Sequence, residues 1–319
     1  MKEPVFIQKK NGFALSKIKH NTELIKITGS TQTPENFCLS WSDKQKIYPS
    51  ACNFQNYKLN RYNDVLAWEK SRVVLNINNN NNNNTGYINA NWVVDPISDK
   101  KFIATQAPLD ITQDHFLQMV WETRCSCIVT LGKVVEDNKN KMHQYWPREI
   151  GLKTVTKCNN YSLKLIRVES KKYLVRSFLF THGRETREIV QLHMENWPDH
   201  CAIESDPILA MLNDLDYFVQ NSRKFGLSEV PIVHCSAGLG RTGSLIAIYF
   251  GIKRIDKYIS DMIASKYLAI LTSELVKNVN IDGIIDIVRS QRHNAIQTKK
   301  QYTMIFRSLN YYLEKKCHL

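Results

Sequence analysis

Short runs of β-branched and aromatic residues, each set between polar turns, recur along the chain: IVTL (128–131), YSLKLIRV (161–168), KYLVRSFLF (172–180), EIVQLHM (188–194) and VPIVH (230–234). Each is expected to be a strand. RVVLNI (72–77) and GYINANWVV (86–94) also read as strands, and the asparagine run Asn78 to Asn84 between them reads as a solvated loop insertion. Loop closure entropy grows only logarithmically with length, so such an insertion costs little. Helical patterns are equally visible. In SDPILAMLNDLDYFVQ (205–220), Asp206 is expected to cap and Pro207 to sit in the first turn. Ile208, Met211, Leu212, Leu215, Phe218 and Val219 then form one apolar stripe that belongs to a core. Further helices are expected at 112–124, 242–255, 280–292 and 298–313. Mixed strands followed by a helix-rich last third read as an α/β fold with a mixed sheet.

Composition narrows the class. Apolar residues make up 43% of 319 residues, enough for a substantial core. No window holds 18 uninterrupted apolar residues, and the opening MKEPVFIQKKNG lacks the apolar centre of a secretory signal, so a soluble, cytoplasmic protein is expected. The eight cysteines are scattered, with no C-x-x-C pair for a metal or redox site, which fits reduced thiols and no metal. Neither end carries a lipidation motif: Cys317 is third from the end and position two is Lys2. A formal charge of +13 favours anionic partners, but no nucleic-acid-binding motif accompanies the dispersed lysines.

The stretch VPIVHCSAGLGRTGSLIAIYF carries the chemistry. A buried-type strand ends at His234, and Cys235 opens a short loop with Gly238, Gly240 and Gly243 before a helix. Such a loop turns successive backbone N–H groups inward at a helix N-terminus, which suits a phosphate dianion. Arg241, six positions after Cys235, is placed to hold two phosphoryl oxygens by paired charge-assisted bonds. A helix N-terminus with a nearby cation favours the thiolate, the nucleophilic form of cysteine. Thr242 is expected to donate its hydroxyl to that thiolate and to help it leave later. The same letters match G-x-G-x-x-G of dinucleotide-binding proteins. That class expects an acidic residue about 20 positions on, after a second parallel strand; Asp261 lies near that distance but precedes the apolar run YLAIL, and such a site needs neither Cys235 nor Arg241.

HCSAGLGRTG resembles the signature of the protein tyrosine phosphatase family. NRYNDV, YINANW, FIATQAPL, KMHQYWP, WPDH and QTKKQY are similar to the family's other motifs, in family order, over roughly residues 12–313. Residues 1–11 are then an N-terminal extension and 314–319 a C-terminal tail. The compact, Asn/Lys/Ile-rich chain also resembles the phosphatases carried by bracoviruses of parasitoid wasps. The resemblance implies a single domain with a highly twisted mixed sheet flanked by helices. It also implies hydrolysis of phosphotyrosine in proteins through a cysteinyl-phosphate intermediate, with no cofactor, and action against tyrosine-kinase signalling, in a host cell if the chain is viral.

It further implies residue roles. Cys235 is the nucleophile, and Ser236, Ala237, Gly238, Leu239 and Gly240 form the phosphate cradle with Arg241. Asp199 is the general acid and then the base, on a mobile loop anchored by Trp197. Gln297 and Gln301 position the attacking water. Tyr62 stacks on phosphotyrosine and sets the pocket's depth, and Asp64 binds the substrate backbone. Glu136 pairs with Arg241, Lys141 approaches the acid loop, and His234 tunes the thiolate through loop hydrogen bonds.

Departures from the family pattern are Cys201-Ala202-Ile203 after WPDH, Ala107 in TQAPL, Ala67 and Glu69, and His293-Asn294 before the glutamine motif. Asn294 is expected either to narrow a groove floored by Arg289 and Arg292 or merely to adopt a positive φ. A catalytically dead phosphotyrosine-binding homologue is disfavoured because cysteine, arginine and acid are all present. A dual-specificity or phosphoinositide phosphatase is disfavoured by Tyr62.

Overall fold

Strand by strand, side chains alternate between two apolar layers. In the computed structural model, which describes residues 39–76, 86–158, 160–264 and 272–317, the last central strand places Ile232 in one cluster and Val233 in the other. This period of two is what a strand covered on both faces requires.

Eleven strands are present among the described residues: β1 (Arg72–Val74), β2 (Tyr87–Asp95), β3 (Lys100–Thr105), β4 (Cys127–Leu131), β5 (Val135–Glu136), β6 (Lys139–Asn140), β7 (Lys153–Val155), β8 (Tyr161–Ser170), β9 (Leu174–His182), β10 (Glu185–Met194) and β11 (Ile232–His234). Nine of them form one sheet in the order β1-β2-β3-β11-β4-β10-β9-β8-β7, while β5 and β6 make a separate hairpin. β3, β11, β4 and β10 pair in parallel, and the flanking pairs are antiparallel.

Three short helices, α1 (Trp41–Ile47), α2 (Pro49–Cys52) and α3 (Phe54–Tyr57), precede the sheet. α4 (Gln113–Glu122) packs Phe116, Leu117 and Val120 on one face. The other face is covered by α5 (Ser205–Asn221), α6 (Gly240–Ala264), α7 (Thr272–Val279), α8 (Ile281–Gln291) and α9 (Lys299–Cys317). The mixed α/β architecture in one domain matches the expectation. None of the described helices is long and apolar enough to cross a membrane.

The expected long strands and helices are all found, and the stripe of α5 is buried apart from Phe218, which is partly so. The N-terminus of α5 differs. Glu204 is the N-cap residue, without a side-chain cap bond, and Asp206 lies inside the first turn. Its carboxylate is taken up by Lys172 and Lys315 instead of backbone N–H groups, and its charge still complements the helix dipole. α9 continues through Cys317, so residues 314–317 extend that helix rather than forming a tail. The asparagine run, residues 267–271 and residues 1–11 lie outside the described residues.

The four parallel strands all point the same way, so their C-terminal ends open on one edge of the sheet. Thr105, Leu131, Met194 and His234 stand there. The loops that follow carry the chemistry, as is usual for parallel sheets.

Candidate active site

Cys235 follows β11 directly and is almost fully buried. Its Sγ accepts a hydrogen bond from Gly238 N at 3.3 Å. Gly238 has φ 71°, and a Cβ there would lie 2.1 Å from Thr105 O, so the loop approaches β3 as only glycine allows. The loop carbonyls turn away from the thiol. Ser236 O accepts from Ala107 N at 2.9 Å, and Ala237 O and Gly238 O accept from Arg292 at 2.9 and 3.2 Å. Arg292 also donates to Asn89 Oδ1 and Asn91 Oδ1 at 2.7 and 2.8 Å. Burial lowers its pKa to about 10, which leaves it charged near neutral pH. Carbonyls drawn back onto a cation, with the Gly238 N–H turned toward the thiol, give the loop at the start of α6 the form that suits an anion nest.

Arg241 closes the loop and is fully buried. Its Nη1 donates to Glu136 Oε1 at 2.6 Å and to Trp197 O at 2.8 Å, and its Nη2 is 3.3 Å from Asp199 Oδ1. Its Nε and the Thr242 hydroxyl are buried and make no hydrogen bond among the described residues. Asp199 also meets Lys141 Nζ at 2.9 Å. Burial pushes the Asp199 carboxyl up. The Arg241 charge, the Lys141 bond and charge, and His200 outweigh this and hold it below the usual carboxylate range. Trp197 is fully buried and donates from Nε1 to Cys201 O at 3.0 Å, so its ring anchors the loop that carries Asp199.

His234 is fully buried, and desolvation lowers its pKa to about 3. The neutral ring donates from Nδ1 to Cys235 O at 3.2 Å, while Nε2 accepts from Thr130 and Tyr145 hydroxyls, both at 3.0 Å. Those hydroxyls accept from Gln191 in turn. The ring thus orients the peptide of the cysteine, and its single proton is committed to the Cys235 carbonyl rather than to the thiol.

Gln297 and Gln301 crowd Gly240, where an added Cβ would meet Gln301 Nε2 at 2.6 Å and Gln297 Oε1 at 2.9 Å. Gln297 N donates to Gln301 Oε1 at 2.8 Å, which fixes the pair. Tyr62, part-buried, hydrogen-bonds Ser236 Oγ at 2.8 Å, and that hydroxyl donates to Lys141 O at 2.8 Å. Asp64 is exposed two residues further on. Leu239 is buried at the start of α6, where its carbonyl accepts from Gly243 N and Ile296 N. The structure therefore gathers the loop, the acid, the supporting cations and the glutamine pair singled out in the sequence around one thiol, while of Asp64 it shows exposure alone.

One expectation is corrected. Arg289 and Arg292 do not floor an open groove: both are buried, Arg289 donating to Ala295 O and Ile296 O and Arg292 lying under the loop. Asn294 has φ 59°, the turn conformation of the two alternatives. The dinucleotide reading loses its acidic residue, because Asp261 lies within α6 beside Lys257 and follows no second parallel strand.

Sequence reasoning missed Gly132, which packs against the Arg241–Glu136 pair, and the Asn89–Asn91–Arg292 support. The signal for the latter was present: two asparagines at alternate positions of an apolar strand share one buried face. Among the described residues, no three His, Cys, Asp or Glu side chains are grouped to hold a metal ion.

The model of the family described as protein-tyrosine phosphatase matches residues 56–311. The human tyrosine-protein phosphatase non-receptor type 12 is 32% identical over 86% of this chain and 33% of its own length. Tyrosine-protein phosphatase non-receptor type 61F of Drosophila melanogaster is 33% identical over 80% of this chain and 43% of its own. For tyrosine-protein phosphatase 3 of Dictyostelium discoideum the values are 34%, 84% and 26%. The chain thus spans less than half the length of these relatives.

Proposed function

The chain belongs to the protein-tyrosine phosphatase family, and on that premise we propose that it hydrolyses phosphotyrosine in proteins through a cysteinyl-phosphate intermediate on Cys235. The observation that carries this reading is the convergence of a buried thiol, a guanidinium with an unpaired Nε and an aspartate 3.3 Å from that guanidinium. In the first step the Cys235 thiolate attacks phosphorus while the cradle N–H groups and Arg241 hold the equatorial oxygens. Asp199 protonates the departing phenolate. A bound dianion offsets the field of Arg241 and so favours the protonated carboxyl that this step needs. In the second step Asp199 takes a proton from the water that Gln297 and Gln301 place against the phosphocysteine. Thr242 supports the leaving thiolate.

Tyr62 lines a deep pocket suited to phosphotyrosine, and Asp64 receives the substrate's backbone amides. No cofactor or metal enters the scheme. We place the activity in the cytoplasm, opposing tyrosine-kinase signalling, and in a host cell if the bracovirus resemblance holds. Reduced thiols there keep a nucleophilic cysteine available.

The test is hydrolysis of a phosphotyrosyl peptide by wild type and Cys235→Ser. Serine preserves the cradle but its hydroxyl is not ionised, so turnover should fall by orders of magnitude while phosphopeptide binding persists. A variant within about tenfold of wild type would remove Cys235 from the nucleophile's role.

A further inference from the structure

The loop carrying Asp199 is fastened at both ends, and only one fastening is explained by the chemistry above. At its start, Trp197 is bound to Arg241 through its carbonyl and to Cys201 through its indole. At its far end, the fastening is to α9. Ile203 N–H points at Met304 Sδ at 3.3 Å, and Ile203 O accepts from Arg307 Nη2. Thr298 Oγ1 donates to His200 O at 3.2 Å, and Ser205 and Ser308 hydroxyls pair at 3.2 Å.

Met304 and Arg307 are three residues apart and so share one face of the helix. Together they take both backbone polar groups of one residue, Ile203. Arg307 is exposed, adds nothing to the core and has no carboxylate at ion-pair distance among the described residues. Its charge is directed at a carbonyl, which makes the bond charge-assisted. His200, beside Asp199, has φ 55°, a conformation that a non-glycine residue keeps only when neighbouring bonds hold it there. The bond from Thr298 is one of those.

We propose that α9 positions the acid loop over Cys235 and that Arg307 is the positioning residue, acting on Asp199 through the Ile203 peptide. The same segment carries Gln297 and Gln301, so the acid of the first step and the water-placing pair of the second are held as one body. This inference rests on the phosphatase reading.

The experiment compares wild type, Arg307→Ala, Arg307→Lys and Met304→Leu in the full chain on two substrates. One is a phosphotyrosyl peptide. The other is an aryl phosphate whose strongly acidic phenol departs without a proton. For Arg307→Ala, kcat/KM on the peptide should fall about tenfold, with little change on the acidic phenol ester, because only the former needs a well-placed acid. Arg307→Lys should recover much of the loss, Met304→Leu should show the same substrate selectivity, and Lys300→Ala, exposed on the same helix, should match wild type. Equal losses on both substrates, or none on either, at an unchanged unfolding midpoint would overturn the positioning role while leaving the phosphatase reading standing. A wild type inactive on the peptide would overturn both.

Discussion

Gly132→Ala should cripple catalysis by displacing Arg241, although every residue given a role in the reaction keeps its identity. Gly132 has φ 97°, and a Cβ on it would lie 2.1 Å from Arg241 Nη1 and 2.4 Å from Glu136 Oε1. The backbone has nowhere to retreat. Its N–H donates to Met194 O at 2.8 Å, and its carbonyl accepts from His193 Nε2 at 2.8 Å. The ring of His193 is itself fixed by Arg176, which donates to Nδ1 at 2.9 Å. Desolvation lowers the His193 pKa to about 4, so the ring is neutral and its Nε2 carries the single proton. The guanidinium of Arg241 must therefore withdraw by roughly 1 Å or more to reach van der Waals separation. That breaks the 2.6 Å bond to Glu136 and the 2.8 Å bond to Trp197 O. A misplacement of that size costs on the order of 100-fold in rate. Forcing an L side chain into this conformation adds a further ~1–2 kcal/mol of strain. The assay is kcat on a phosphotyrosyl peptide beside a urea unfolding curve. A kcat within about threefold of wild type, in a variant that is merely less stable, would refute the argument that Arg241 depends on this gap.

Lys141→Met removes one of the cations that lower the Asp199 pKa, so the basic limb of kcat/KM should move to higher pH; an unmoved limb would separate Lys141 from the acid. His234 is neutral in the fold with a pKa of about 3, whereas an unfolded histidine takes its proton near pH 6.5, so stability should decline as pH falls from about 6.5 toward 3. The contribution reaches about 2 kcal/mol near pH 5. Urea midpoints at neutral pH and near pH 5 should differ less in His234→Asn than in wild type, and an equal difference would be evidence against the buried neutral ring. Asn294→Gly should leave the rate ratio between doubly and singly phosphorylated peptides unchanged, because Arg289 and Arg292 are already committed to carbonyls. Asn294→Ala should instead lower stability by about 1 kcal/mol through its positive φ. A selective gain on the doubly phosphorylated peptide in Asn294→Gly would revive the occlusion reading.

The central chemistry was legible because it is contiguous. A strand, a cysteine, a glycine-bearing loop, an arginine and a helix lie within one short segment, and each residue type there answers a demand of phosphate binding. The long strands and helices were legible from their side-chain pattern. What escaped was short or remote. β7 has three residues, β5 and β6 two each, and α2 and α3 four, too few for any period to declare itself. β3 was recognised as a motif but not as a strand, although it supplies the Thr105 carbonyl that forces glycine at position 238. Asp206 looked like a helix cap because the local letters suit one. Ties from α9 to Ile203 and Ser205 and the pull of Lys172 and Lys315 decided otherwise.

Arg292 illustrates the limit most clearly. Beside a recognised motif, an arginine reads naturally as an exposed cation for a second phosphate. Its acceptors, Asn89 and Asn91, stand 203 and 201 positions away, and no local pattern joins them. Removing such a guanidinium from water is costly unless its donors are satisfied. Here four acceptors meet it: two amide oxygens of β2 and two carbonyls of the nucleophile's loop. The buried charge therefore acts on the cradle from beneath. It draws the carbonyls of residues 237 and 238 down, and in the proposed reaction this leaves the loop N–H groups for the dianion. In the proposed reaction Arg241 holds the phosphate directly, whereas Arg292 shapes the backbone that holds it; both guanidinium groups are buried, and their hydrogen-bond partners rather than sequence neighbourhood separate the two roles.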